Sequence, residues 1–272
     1  MTNFADKETG RSVNQVTQVT LREVDHPATP ADTHVVGEVV ALNHLRAPLG
    51  NVRVGALLTM ADTVGGMCAG LSALPGWVVS TNLMLRTTPG AHRGPFALEA
   101  RMLRVGRKAT VTQVEIRDRG DGDQLIADGV LTSAVLAPED GPPDFARPMV
   151  LDTPPSTEPP LALLDFFGVR PHDATAVALD IVDRVRNPWG ILHGGATAVL
   201  VDAAAAHAVS GGDATTADVV LHFLRPGRVG PAVARATVLG TRPDGHLVRV
   251  EVVDAGTDER VMAVAVCTVR TS

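Results

Sequence analysis

The run Asn187-Pro-Trp-Gly190-Ile-Leu-His193-Gly194-Gly195, followed by an apolar stretch with a single carboxylate, Asp202, puts an amide, an imidazole, paired glycines and an acid in one short segment. These residue types suit attack on an activated carbonyl. Negative charge developing on a carbonyl oxygen can be received by a free backbone N–H at a helix N-terminus, and glycine there permits close approach. A carboxylate among apolar side chains is costly to bury without a task or a partner.

A degenerate copy lies in the first half of the chain. Ala47-Pro48-Leu49-Gly50-Asn51-Val52-Arg53-Val54-Gly55-Ala56 leads into Leu57-Leu-Thr-Met60-Ala61-Asp62. Pro48, Gly50, Gly55, Ala56 and Asp62 align with Pro188, Gly190, Gly195, Ala196 and Asp202. Ala47, Arg53 and Val54 stand where the second copy has Asn187, His193 and Gly194. The chain therefore reads as two copies of one domain.

The elements that must position these residues repeat as well. Val35–Leu42 and Ala176–Val182 read as strands that precede Pro/Gly turns. Gly55–Ala69 and Gly195–Val209 are long and apolar nearly all round, as expected of buried helices. Four strands then follow in each copy: Val78–Leu85, Phe96–Val105, Ala109–Ile116 and Leu125–Leu136, then Asp218–Leu224, Ala232–Leu239, Leu247–Val253 and Arg260–Val269. The expected organisation is a lead-in over 1–32, a first domain over 33–137, a proline-rich extended linker over 138–160 and a second domain over 161–272. A short helix at Leu161–Phe167 opens the second domain.

Composition narrows the function classes. With 272 residues, 45% of them hydrophobic, the chain can bury one large core or two of ordinary size, and the repeat favours two. Cys68 and Cys267 sit far apart in apolar runs, which suits buried thiols in a reducing compartment, and a cytoplasmic location is expected. No unbroken apolar run of about 18 residues is present, so no membrane partner is expected. A net charge of −6 and 3% aromatic residues give no basis for nucleic-acid binding.

A helix entered through Asn187, His193, Gly194 and Gly195 and carrying Asp202, within a strand–helix–four-strand unit, resembles the PaaI-type hotdog-fold acyl-CoA thioesterases. The likeness runs from about Leu161 to Arg270, with Thr216 where that family carries a Ser or Thr hydroxyl. The first half is similar but departs at Ala47, Arg53 and Val54, and keeps Asp62 and a hydroxyl at Ser80. The resemblance implies an α+β fold: two hotdog domains in tandem, each a curved antiparallel sheet wrapped around a long central helix. That family usually works as a dimer, so the tandem chain resembles a dimer fused into an intramolecular pseudo-dimer.

Helix geometry adds an independent constraint. From His193 to Asp202 is about 13 Å of rise and about half a rotation, so Asp202 cannot lie beside the N-terminus of its own helix. In a pseudo-dimer with antiparallel helices, each Asp faces the N-terminus of the other helix. One composite site would join Asn187, His193 and Gly194 to Asp62 and Ser80. The other would join Ala47, Arg53 and Val54 to Asp202 and Thr216, and is expected to be inactive or altered.

In the first site the Gly194 N–H would receive the oxyanion, and Asp62 would act as general base or as nucleophile. Asn187 and His193 would orient the carbonyl or the water, and Ser80 would hold the water or Asp62. Arg225 and Arg228 are the candidates to meet the phosphates of coenzyme A, which enters as part of the substrate. No other cofactor and no metal are expected. His207 and His222 read as core histidines, or as supports for neighbouring side chains, rather than as ligands. The basic group Arg101, Arg104, Arg107 and Lys108, like the pair Arg225 and Arg228, reads more readily as solvated turn charges than as phosphate contacts.

The leading reading is an acyl-CoA thioesterase. A non-catalytic acyl-CoA-binding protein is the alternative, motivated by the decay of one site. An enoyl-CoA hydratase or dehydratase is a third reading, opposed by Val185 and Gly190 where that signature resembles Asp and His. A second copy of the chain is the expected protein partner, giving four hotdog units.

Overall fold

The structure, a computed structural model, describes residues 13–271 apart from 25–26, 41, 48–49, 89, 91, 138–147, 154–159, 188 and 211–213. In chain order the first repeat comprises α1 (Val13–Thr17), β1 (Thr20–Glu23), β2 (His34–Val39), α2 (Val54–Ala73), β3 (Trp77–Thr87), β4 (Phe96–Val105), β5 (Ala109–Asp118) and β6 (Gln124–Leu136). Next come β7 (Val150–Leu151), α3 (Leu163–Phe167), β8 (Arg170–Pro171), β9 (Ala176–Leu179), α4 (Gly194–Ser210), β10 (Thr215–Phe223), β11 (Ala232–Arg242), β12 (Gly245–Asp254) and β13 (Arg260–Arg270).

The strands join in one 13-stranded sheet, in the order β7-β1-β2-β4-β5-β6-β3-β10-β13-β12-β11-β9-β8. Read outward from its middle, β3-β6-β5-β4-β2 on one side mirrors β10-β13-β12-β11-β9 on the other. The repeats meet where β3 and β10 pair antiparallel, with Leu85 opposite Val219 and Asn82 opposite His222. The sequence pattern explains the strands: β5 alternates half-buried and buried residues along its whole length, one face towards the helix and one towards solvent.

The two long helices lie against one another inside the sheet. Leu57, Leu58 and Met60 of α2 are fully buried, each contributing about 1.5–3 kcal/mol relative to exposure. In α4, Ala198 to Val201 and Ala204 to Ala206 are buried in the same core. Small residues let the helix backbones approach: a Cβ on Gly55 would lie 2.9 Å from Val199 Cα, and one on Gly195 would lie 2.6 Å from Thr59 Cγ2. Gly55 meets Val199, Thr59 meets Gly195 and Asp62 meets Gly194, so the helices run antiparallel.

Several features differ from the sequence reading. Residues 13–32, within the expected lead-in, supply α1 and β1, and β1 extends the sheet by pairing with β2 from Thr20 opposite Glu38 to Glu23 opposite Val35. Within the expected linker, β7 pairs with β1. Residues 1–12, 138–147 and 154–159 of those two stretches, and Pro48 and Pro188 of the repeated motif, lie outside the described residues. Helix α2 runs on to Ala73 because Leu71 and Ser72 still face the core. By length and composition α2 also passes as a membrane-crossing helix, but 78% of its most apolar window is buried within the fold. It is a core helix.

Candidate functional site

Each long helix is entered through the same loop. In the second repeat, Asn187 N–H donates to Ile191 O at 2.8 Å and Gly190 N–H to Asn187 O at 2.9 Å. In the first, Ala47 N–H donates to Asn51 O at 2.7 Å and Gly50 N–H to Ala47 O at 2.9 Å. Gly190 and Gly50 both take left-handed backbone, φ 72° and 88°, which favours glycine there. Arg186 and Arg46 brace the two loops, donating to Gly190 O and Gly50 O. The backbone frame is thus shared, and the side chains it carries are not.

At the end of the second-repeat loop, α4 begins at Gly194, and no described residue accepts from the Gly194 N–H. Facing this helix N-terminus is Asp62 of α2, which is 8% exposed. Ser80 Oγ, on β3, donates to Asp62 Oδ1 at 2.7 Å. The other oxygen, Oδ2, points at Gly194 so closely that a Cβ there would lie 2.5 Å away. Asp62, Ser80, His193 and Gly194 are therefore together, drawn from both repeats.

His193 Nδ1 lies 3.8 Å from Asp62 Oδ2, too long for a hydrogen bond. It accepts instead from the Gly195 N–H at 2.9 Å. That acceptor role assigns the neutral ring proton to Nε2. Burial pushes the imidazole below the usual histidine range, and the neighbouring Asp62 only partly offsets this. A neutral imidazole leaves the carboxylate uncompensated, with one oxygen held by Ser80 and the other directed at the helix entrance. Such a carboxylate can take a proton from water or attack a carbonyl, while the helix N-terminus receives the oxyanion.

Asn187 Oδ1 accepts from the Trp189 and Ile191 N–H groups at 3.0 and 3.3 Å, so its carbonyl end is pinned to the loop backbone and the amide Nδ2 is the end that could orient carbonyl or water.

At the related position in the other half, Asp202 is 2% exposed and faces the entrance of α2 at Gly55. Arg53 Nη1 approaches its Oδ2 at 3.7 Å, with the two side chains 10% and 3% exposed. Oδ2 has no hydrogen-bond partner among the described residues. Thr216 does not hold the carboxylate as Ser80 does: its Oγ1 donates to the Asp202 backbone carbonyl at 3.5 Å. Val54, buried, is the first residue of α2 where α4 begins with Gly194. The permanent charge of Arg53 pairs this carboxylate, and the hydroxyl that would direct it is turned away.

Arg225 and Arg228 stand on the turn before β11, with bonds to neither Asp62 nor Asp202 among those of the described residues. Arg225 Nη1 donates to Val261 O, and the Arg228 N–H donates to Asp254, which also gathers the N–H groups of Val229, Gly230 and Gly256. Their turn adjoins the loop that leads to α4, since Leu192 N–H donates to Gly227 O at 2.9 Å. His207 Nε2 lies 3.1 Å from Asp173 O, and His222 Nδ1 lies 3.1 Å from Asn82 Nδ2 across the repeat junction. Among the described residues no group of His, Cys, Asp or Glu is arranged to hold a metal ion.

Two surface hollows of about 590 and 620 Å³ include none of the Asp62 or Asp202 cluster. The chemistry-bearing residues lie in the seam between helices instead. One member of that seam was not singled out by the sequence reading: Thr59 Oγ1 donates to Gly55 O at 2.7 Å and to Gly195 O at 3.2 Å, tying the two helices together. Its signal was a hydroxyl one turn before Asp62, where the second repeat has Val199.

Comparison with known proteins agrees with this architecture. The model of the thioesterase superfamily matches residues 49–124 and again 190–261, together more than half of the chain. Among solved structures, an acyl-ACP thioesterase from Bacteroides thetaiotaomicron aligns with TM-score 0.59 and 12% identity, covering 87% of this chain and 98% of its own. A 12:0-ACP thioesterase from Umbellularia californica aligns with TM-score 0.61 and 8% identity over 88% and 94%. A candidate thioesterase II from Thermobifida fusca aligns with TM-score 0.58 and 17% identity over 97% and 98%. At these identities the likeness is one of fold. Among curated proteins no sequence matches significantly. With the superfamily pattern present twice, once in each hotdog repeat, the chain belongs to the thioesterase superfamily and is a thioester hydrolase.

Proposed function

We propose that this chain is an acyl-CoA thioesterase of PaaI type, working in the cytoplasm at one composite site that its two repeats share as a pseudo-dimer. The observation that carries this reading is Asp62, held through Oδ1 by Ser80 and presenting Oδ2 to the Gly194 end of α4. A thioester carbonyl placed against the Gly194 N–H lies within reach of that carboxylate. Asp62 either removes a proton from attacking water or attacks the carbonyl itself, forming a mixed anhydride that water then opens. In both cases the C–S bond breaks, the thiol leaves as coenzyme A and the acyl group leaves as a carboxylic acid.

The Nε2–H of His193 is the donor available to orient the carbonyl or the water. The Arg53–Asp202 position contributes no turnover, because its carboxylate already has a cationic partner. Arg225 and Arg228, on the turn beside Leu192, serve the phosphates of coenzyme A. A second copy of the chain is the proposed partner, bringing four hotdog units together.

The test is thiol release from short, medium, long and aromatic acyl-CoAs, with the same acyl groups on acyl carrier protein. Release from the coenzyme A esters supports the proposal. Release from acyl carrier protein alone replaces the carrier and leaves the chemistry intact. Enoyl-CoA hydration without thiol release contradicts it, as does tight binding of intact thioesters without cleavage.

A further inference from the structure

Thr59 is fully buried on α2, three residues before Asp62. That spacing puts the two side chains on one face of the helix, about 4.5 Å apart along its axis. They meet consecutive residues of α4. Asp62 Oδ2 meets Gly194, and Thr59 meets Gly195, where a Cβ would lie 2.6 Å from Thr59 Cγ2. The Thr59 hydroxyl faces two carbonyls, Gly55 O of its own helix at 2.7 Å and Gly195 O of α4 at 3.2 Å.

A hydroxyl that bonds the carbonyl one turn back is an ordinary feature of threonine inside a helix. The second acceptor is different, because it belongs to the other repeat. Among the described residues no other hydrogen bond joins α2 to α4. Apolar packing holds the two helices together without direction, whereas a hydrogen bond fixes distance and angle. The opposite crossing has no such bond: Val199 stands where the first repeat has Thr59, and it meets Gly55 through its backbone. The tie is confined to the half that holds Asp62 and Ser80.

We propose that Thr59 is a positioning residue: through Gly195 it sets the gap between the Asp62 carboxylate and the Gly194 N–H in which the thioester carbonyl reacts. One end of the tie lies a single residue from the oxyanion donor, and the other lies one turn from the carboxylate. A valine methyl in place of the hydroxyl cannot stay 2.7 Å from Gly55 O, so it turns away or parts the helices. Either way α4 loses its fixed register on α2, and small misplacements at a reacting centre are costly. This role rests on the Asp62–Gly194 site proposed above.

The experiment compares Thr59→Val and Thr59→Ser with the wild type in kcat, KM and amide hydrogen exchange. Exchange is read at Gly195 and Thr197, whose N–H groups donate to His193 Nδ1 and His193 O at 2.9 and 3.1 Å. The amides of β5, a strand paired on both sides, report global opening. In Thr59→Val, kcat should fall about tenfold with KM within about twofold. Exchange at Gly195 and Thr197 should quicken about tenfold while β5 stays unchanged. Thr59→Ser keeps the hydroxyl and should return kcat and exchange to within about threefold of the wild type. Thr59→Ala removes the hydroxyl without adding bulk and gives the answer if Thr59→Val fails to fold. A kcat unchanged in the folded variant, an unmoved α4 entrance, exchange that quickens equally in β5, or no recovery with serine would overturn the role. A quickened α4 entrance that serine restores, in a protein that cleaves no thioester, would keep Thr59 as the residue that sets the entrance and remove the hydrolase reading.

Discussion

Arg53 Nη1 lies 3.7 Å from Asp202 Oδ2, in the place where His193 Nδ1 stands 3.8 Å from Asp62 Oδ2. The two positions share a loop frame and a helix entrance but differ in charge. Burial keeps His193 neutral, whereas a guanidinium does not lose its proton in a protein. One carboxylate therefore faces a helix N-terminus without a cation, and the other faces it already paired. On the proposed reading, this difference leaves the Asp62 centre as the one that works.

The two helix entrances should respond differently to an added methyl group. In Gly194→Ala the new Cβ meets the Asp62 carboxylate, which can swing aside. The protein should fold, with kcat/KM down about 100-fold from the displaced carboxylate. In Gly55→Ala the Cβ meets the Val199 backbone at 2.9 Å, and overpacking of the helix crossing should cost about 1–3 kcal/mol of stability. Steady-state kinetics and urea unfolding of both variants check this. Equal activity in Gly194→Ala and wild type would remove the proposed contact from the mechanism.

Ser80→Ala should lower kcat about 10- to 100-fold, the range expected for loss of a hydrogen bond to a charged group, because Oδ1 of Asp62 loses its 2.7 Å donor. Thr216→Ala should leave kcat unchanged, since Thr216 holds only the Asp202 backbone carbonyl. Kinetics on medium-chain substrates compare the two. A larger loss in Thr216→Ala would reverse the assignment of the sites.

Much of this arrangement was legible in the sequence because it is written locally. Apolar runs bounded by Pro and Gly marked the strands, and the largely apolar surroundings of Asp62 and Asp202 marked core helices whose acids must face something else. What escaped was non-local. Strand β1 is four residues long, without a marked period, and is secured by β2 and by β7 from the stretch between the repeats. The Trp77–Trp189 contact joins two distant segments that carry no shared pattern. Side-chain commitments escaped as well: the bonds of Asn187 Oδ1 to its own loop and of the Gly195 N–H to His193 depend on rotamers that residue spacing does not specify.

Stability should fall as the pH drops below the histidine range. Burial holds His193 below its usual value, and burial, with Arg101 assisting, does the same to His34, as burial does to His92. Their unfolded values lie near about 6.5, so the unfolded chain binds more protons as pH falls through that region. Stability is full above about pH 6.5 and declines below it as pH falls towards the lowered folded values. Urea midpoints between about pH 7.5 and 5 should decrease, and His193→Gln should flatten the decline. A flat or rising midpoint would contradict the buried neutral state.

The most direct test of the central claim pairs activity with stability in Asp62→Asn and Asp202→Asn. Asp62 is buried without a cationic partner, so Asp62→Asn should lower kcat about 10²- to 10⁴-fold while the melting temperature holds or rises. Asp202→Asn leaves Arg53 buried without its carboxylate, so it should lower stability by about 3 kcal/mol with kcat within about twofold of the wild type. The opposite pattern, activity lost in folded Asp202→Asn and retained in Asp62→Asn, would contradict a single working site built from Asp62 and the entrance of α4.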